Sequence, residues 1–345
     1  MAEISGQPDA LRRAAAGICD QTDALGRIAE ICAGRRVLFI GMGSSYDACY
    51  PAVTALAQVG IAAIHLDAAE LLHFRAGVLD AATAVIAVSQ SGESAEVVGV
   101  AEIMKAPRNG PALIAVTNGR DNTLASMADV RLDTSVGPEA GPSTMTFGAA
   151  LAVVGAVGHV LEGHEPDAVA TTGVALAEAA AMGIEGFLAD TDLPDRLADL
   201  FAERGTAVIL GRGPARAAAE MGALTVKEAV GIMIESLQTG QFRHGPLELA
   251  GPDLAAIILA TEPQTLDLDL GLAKELVELE AAVLVVTEES APIAGALNLT
   301  TGAQDRGLSS AVSIVPAQLL AWRLATLHGR EPGAYYRASK VTTHE

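Results

Sequence analysis

Three strand-like stretches of this chain occur twice in the same order, and two of them share one spacing. VLFIGMG (37–43), VIAVSQSG (85–92) and ALIAVTN (112–118) are answered by AVILGRG (207–213), LAAIILAT (254–261) and AVLVVTEE (282–289). Gly211 follows Gly41 by 170 positions, and Thr287 follows Thr117 by the same 170. A shared offset at two well-separated elements marks an internal repeat. Within the first copy the short apolar runs, with VRLDTS (130–135) as a fourth, are spaced widely enough for an intervening helix. That alternation is the signature of parallel βαβ units. The chain therefore reads as α/β, with two similar doubly wound parallel-sheet domains of the flavodoxin-like kind.

The expected division is an N-terminal helix over 1–30, a first domain over 31–165, a helical connector over 166–194, a second domain over 195–312, and a closing amphipathic helix with an irregular tail over 313–345. Pro332 and Gly333 break that last helix. A length of 345 residues suits two domains of ordinary size, and 50% hydrophobic with 19% charged residues describes a chain that buries cores. No uninterrupted apolar run approaches the ~20 residues that span a bilayer, and no signal-peptide pattern opens the chain. A cytoplasmic location with no membrane partner is expected. Cys19, Cys32 and Cys49 lack CxxC spacing and read as reduced structural residues. With 22 basic against 42 acidic residues the net charge is −20, and aromatic residues are 3% of the chain. Both features argue against nucleic-acid binding.

The two copies differ after the second strand. In the first copy VIAV runs into Ser89, Gln90, Ser91, Gly92, Glu93 and Ser94, a hydroxyl-rich turn leading into a helical pattern. Such a turn aims N–H groups and hydroxyls at one point, forming an anion cradle. No Lys follows the Gly, so it is not a nucleotide P-loop. A small phosphate monoester fits it, although alone it reads equally as a strand-to-helix turn without a ligand. In the second copy the same place holds ATEPQ, which offers no comparable nest. Ser44 and Ser45, in GMGSSYDA, are co-ligands or helix caps. Ser143 and Thr144, in GPEAGPSTMTF, open another helix. Glu228 lies in an apolar helical stretch, either reaching solvent or partly desolvated, and desolvation would raise its pKa toward the range of proton transfer. His244 precedes Gly245 and Pro246 on a loop, where its near-neutral pKa suits acid/base work. Lys340 sits in a tail with few other features. The seven His residues show no HxxxH or HxxEH pattern, so neither a metal nor another cofactor is expected. No GxSxG elbow is present.

Taken in order, GMGSSY, SQSGES, PEAGPST, KEAVGIMIESLQTGQFRHGP and ASKVTTHE resemble the tandem sugar-isomerase (SIS) domains that form the isomerase part of glutamine:fructose-6-phosphate aminotransferase, or glucosamine-6-phosphate synthase. The resemblance implies that Ser45, Ser89, Gln90, Ser91 and Ser94 hold a phosphate, with Ser44 and Ser143 near the sugar. It implies that Glu228 moves a proton between C1 and C2, that His244 opens the sugar ring from a neighbouring subunit of a homodimer with shared sites, and that Lys340 meets the C2 carbonyl. Two departures bear on the reaction. Met1-Ala2-Glu3 leads almost directly into the first domain, so no glutaminase domain is expected, and Thr225 and Met145 stand where the resemblance would place Lys. The chain is thus also similar to stand-alone glucosamine-6-phosphate deaminases of the SIS type. The expected reaction is conversion of glucosamine 6-phosphate to fructose 6-phosphate and ammonia. Alternatives are a synthase-like aminotransferase lacking the glutaminase domain, a fructosamine-phosphate deglycase, a simple aldose–ketose isomerase, and a non-catalytic sugar-phosphate sensor.

Overall fold

Among the described residues, ten parallel strands make two five-stranded sheets. The computed structural model describes residues 1–105, 110–202, 204–305 and 307–344; residue 345, the end of the expected tail, lies outside them. The first sheet holds β1 (Arg36–Gly41), β2 (Ala63–Asp67), β3 (Thr83–Val88), β4 (Ala112–Thr117) and β5 (Val130–Asp133), in the order β2-β1-β3-β4-β5. The second holds β6 (Thr206–Gly211), β7 (Glu235–Gln238), β8 (Leu254–Ala260), β9 (Ala282–Thr287) and β10 (Leu297–Thr300), in the order β10-β9-β8-β6-β7. Renumbered within its own copy, each sheet runs 2-1-3-4-5, the flavodoxin-like order.

Every residue of β3, β8 and β9 is buried. A central parallel strand is covered on both faces, so it reads as a continuous apolar run. On one face of the first sheet Leu38, Ile40, Val85 and Ala87 pack with Leu71, Val97 and Val100 from the covering helices. The strands not read from sequence, β2 (AIHLD), β7 (ESLQ) and β10 (LNLT), lie at sheet edges. Edge positions are only partly covered, so their residues carry no continuous apolar signal.

The repeat extends to hydrogen bonds. Thr117 Oγ1 donates to the Gly119 carbonyl and Thr287 Oγ1 to the Glu289 carbonyl, both at 2.7 Å. The Thr117 and Thr287 carbonyls accept from Thr134 N and Thr301 N, both at 2.9 Å. In register, Arg36 pairs with Thr83 as Thr206 pairs with Leu254.

The chain divides into two compact units that exchange short segments. One comprises residues 9–139, 145–178 and 337–345 with the first sheet; the other comprises 1–8, 140–144 and 179–336 with the second. The N-terminal stretch expected as one helix is three, Ala2–Ser5, Gln7–Cys19 and Thr22–Cys32. Turns at Gly6 and Asp20–Gln21 interrupt it. The closing helix, Val315–Leu327, is a core helix rather than an amphipathic one, with nine residues buried and its side packed on the helix Arg216–Val230. Two stretches, Pro166–Ala189 and Ser309–Leu327, are long and apolar enough to cross a bilayer by length and composition. Neither contains a long uninterrupted apolar run, because Ala and Gly with sparse charges reach the same mean hydropathy. The second has 78% of its most apolar window buried inside the protein.

Candidate functional site

The cradle begins where β3 stops. Ser89 N donates to the Val116 carbonyl at 3.0 Å and Asn118 N to the Gln90 carbonyl at 3.0 Å, so pairing with β4 carries the chain into the turn before releasing it. Gly92 N then donates to Ser89 Oγ at 3.1 Å, Glu93 N to Ser91 Oγ at 3.1 Å, and the Ser89 and Ser94 hydroxyls meet at 3.2 Å. Gly92 is required twice over. Its φ is +67°, and a Cβ there would lie 2.0 Å from Asn122 Oδ1. The helix Ala95–Lys105 follows directly.

On the neighbouring strand, β1 ends at Gly41, where a Cβ would come within 2.7 Å of Tyr46 N. That close turn brings Ser44 and Ser45 beside Gln90, and the three line one concavity with Thr117, Thr134 and Thr146. The loop is pinned from the sheet edge. His65 of β2 stacks on the Tyr46 ring at 3.9 Å, meets Tyr50 edge-on at 4.6 Å, and its Nε2 lies 3.0 Å from the Tyr46 carbonyl. Val88, Val116, Phe147 and Ala150 complete the lining, the volume is about 10 Å³, and Ser89, Ser91 and Ser94 are not among the lining residues.

The C-terminal tail belongs to the same unit. Ala95 N, the first donor of the helix after the cradle, is taken by the Thr342 carbonyl at 3.1 Å. Lys340 Nζ lies 2.9 Å from Glu139 Oε2, with the Lys side chain 18% exposed and the Glu side chain fully buried. Glu139 also accepts from Thr146 N at 3.2 Å and from Thr146 Oγ1 at 2.5 Å, so it caps the helix Met145–Leu161 from six residues before it begins. Lys340, which sequence alone would have left on the surface, is thus held by a buried carboxylate, in the same tail whose Thr342 carbonyl meets the helix after the Ser-rich turn. Glu139 was missed. Its signal is a lone acid in the Gly- and Pro-rich segment GPEAGPST, ahead of an apolar helix with no acid in its first turn.

The remaining sequence candidates lie in the other unit. Glu228 is half-buried in the last turn of Arg216–Val230, which Gly231 ends with φ +75°. It is therefore near a helix terminus and not in mid-helix. His244 is exposed after the short turn Thr239–Phe242, and Ser143 is half-buried ahead of the helix Met145–Leu161. Thr225, one turn before Glu228, is buried and donates to the Met221 carbonyl at 2.9 Å. The second sheet has no equivalent cradle in the place expected. After β8 comes Glu262, 2% exposed, and Asp267 and Asp269 stand in the first turn of the next helix. That collection of carboxylates has the wrong sign for phosphate. Burial pushes the Asp269 carboxyl up from its ordinary value, against the pull of Arg212, whose Nε lies 2.6 Å away.

Residues 31–160 and 200–327 match the model of the SIS domain. The chain is 27% identical over 355 aligned positions to the isomerizing glutamine–fructose-6-phosphate aminotransferase of Pyrobaculum aerophilum, covering 99% of this chain and 57% of that protein. The chain thus spans little more than half the length of that relative. Among solved structures, the C-terminal domain of glucosamine-fructose-6-phosphate aminotransferase from Francisella tularensis superposes with a TM-score of 0.84 at 22% identity, covering 96% of each chain. Glucosamine-6-phosphate deaminase from Thermotoga maritima gives a TM-score of 0.70 at 21% identity, covering 95% of this chain and 99% of that one. At such identities the superpositions establish the fold.

Proposed function

This chain belongs to the SIS-domain family, and from that premise we propose that it is a phosphosugar isomerase that deaminates glucosamine 6-phosphate to fructose 6-phosphate and ammonia. The observation that carries the proposal is the pairing of a hydroxyl-and-amide cradle with a tail amine in one unit, Ser89, Ser91 and Ser94 beside a segment whose Lys340 is held by buried Glu139. Oriented dipoles bind a dianionic phosphate where the protein's net charge of −20 opposes it.

In this reading Ser45, Ser89, Gln90, Ser91 and Ser94 hold the phosphate, with Ser44 and Ser143 near the sugar hydroxyls. His244 takes the anomeric hydroxyl proton and returns one to the ring oxygen, opening the ring to the aldehyde. Glu228 removes the C2 proton and delivers it to C1, while O1 gains a proton and the amine nitrogen gives one up, so that the amino aldehyde becomes a C2 imine with a C1 alcohol. Water adds to the imine carbon and ammonia leaves, so glucosamine 6-phosphate and water become fructose 6-phosphate and ammonia. Lys340 meets C2 during this exchange. Thr225, bonded to its own helix in place of the cation that the resemblance would put there, supports release of the amine over its installation. The working form is a cytoplasmic homodimer in which His244 serves the partner's site.

The test is ammonia release, followed by a coupled assay, from glucosamine 6-phosphate, its galacto epimer and fructosamine 6-phosphate, with fructose 6-phosphate isomerisation as control. Stoichiometric ammonia and fructose 6-phosphate from the first substrate is expected. Isomerisation of amine-free sugar phosphates without ammonia from any amino sugar would replace the deaminase reading by a simple aldose–ketose isomerase. Tight binding without turnover would leave a sensor.

A further inference from the structure

Away from the cradle, the helix Met145–Leu161 ends in the sequence His159-Val-Leu-Glu162-Gly-His164. This HxxExH spacing is neither of the zinc patterns sought in the sequence, yet the fold closes it into a cluster. Glu162 N donates to the Gly158 carbonyl at 3.0 Å and Gly163 N to the Val160 carbonyl at 3.1 Å. Gly163 then takes φ +95°, and the chain reverses so that His164 N donates to the His159 carbonyl at 3.1 Å. The reversal lays His164 back over the last helical turn. His159 Nδ1 and His164 Nε2 come to lie 3.4 and 3.5 Å from the same oxygen, Glu162 Oε2.

Those two distances have a specific meaning. Charge-assisted N–H···O⁻ hydrogen bonds run at about 2.7–2.9 Å, and both contacts exceed that by half an ångström or more. A tetrahedral ion with bonds of about 2.0–2.2 Å to imidazole nitrogen and carboxylate oxygen separates its ligand atoms by about 3.3–3.5 Å. The two Glu162 separations match the edge length of that tetrahedron, and one ligand atom from each of the three residues lies within 4.8 Å of the others. We propose that His159, Glu162 and His164 form a binding site for a divalent transition ion, Zn²⁺ in the first instance, at the end of the helix Met145–Leu161.

Two imidazoles and one carboxylate select Zn²⁺ and its first-row neighbours over Ca²⁺ and Mg²⁺, which take oxygen ligands. Three protein ligands leave a fourth position for water. The His side chains are 40% and 62% exposed, so an ion reaches them from solvent. Glu162, 14% exposed, is the anchored member. Because the helix Pro166–Ala189 begins two residues after His164, the ion would fix the turn between the two helices. The site is independent of the sugar-phosphate reading and stands or falls without it.

The test uses the full chain, free of any polyhistidine tag and stripped with a chelator, titrated with Zn²⁺ against a chromophoric chelator. One equivalent bound per chain at micromolar concentration or below is expected. The double variant His159→Ala/His164→Ala should bind at least tenfold more weakly, and Glu162→Gln should also weaken binding. Co²⁺ in the wild type should show the visible absorption of a four-coordinate centre that the double variant lacks. Zn²⁺ should raise the Tm of the wild type and leave that of the double variant unchanged, while in chelator the two melt alike. No binding by the wild type at micromolar Zn²⁺, or equal affinity in the double variant, overturns the site.

Discussion

Lys340 Nζ and Glu139 Oε2 stand 2.9 Å apart, the carboxylate fully buried and the lysine side chain 18% exposed. One comes from the C-terminal tail and the other from the loop ahead of the helix Met145–Leu161, 201 positions earlier. Breaking one side of such a pair strands the other charge away from water, a loss of about 3–5 kcal/mol. Lys340→Met, which leaves the buried carboxylate alone, should therefore lower stability by an amount of that order, and Glu139→Ala, which leaves a partly exposed amine but removes the acceptor of Thr146, should lower it too. Glu139→Gln, which keeps an acceptor, should lose less. Denaturant unfolding with a double-mutant cycle against Lys340→Met checks this, and a coupling energy near zero would show that the pair contributes nothing.

Replacing Ser89 and Ser91 by Ala should weaken sugar-phosphate binding while leaving the fold intact. Each hydroxyl lost to a charged ligand is worth about 1.5–3 kcal/mol. Calorimetry with glucosamine 6-phosphate reads the change, and unaltered affinity would remove the phosphate assignment.

For Glu228→Gln the proposal gives turnover about a hundredfold slower or worse, with affinity held within a few-fold. Steady-state kinetics separates the two quantities. Wild-type turnover in the variant would make Glu228 a solvated residue of a helix terminus.

If sites are shared between subunits, inactive His244→Ala and Lys340→Ala chains mixed as heterodimers should regain activity, since one of the two sites then holds both intact groups. Verified heterodimers that stay inactive while still binding ligand would refute the sharing, as would a fully active monomer in sedimentation.

The thiols should separate by reactivity. Burial pushes Cys32 up to about 11, with Arg35 opposing, and burial with the nearby Asp47 charge raises Cys49 as well. Cys19 is exposed. At pH 8 a disulfide reagent should label Cys19 quickly and the other two slowly. Because the folded Cys32 binds its proton more tightly than the unfolded thiol at 9.0, its stabilising contribution is complete below pH 9 and is lost as the pH rises through about 11. A Cys32→Ala variant should show a smaller decline in Tm over that window, and an identical decline would contradict the assignment.

The sequence by itself determined the repeat, the parallel strands at the centre of each sheet and the position of the serine-rich turn. Each of these depends on local or near-continuous patterns. A central strand must be apolar throughout, and the turn after β3 needs glycine at position 92 for a left-handed backbone and for the space against Asn122. The edge strands escaped because AIHLD, ESLQ and LNLT are defined by pairing with a neighbour and not by burial. Only the tertiary structure brought Glu139 to Lys340, because an ion pair across 201 positions leaves no periodic trace in either segment. It also decided that Glu228 ends a helix and that three ligand atoms meet around Gly163, since a backbone reversal there, rather than helical spacing, sets which side chains converge.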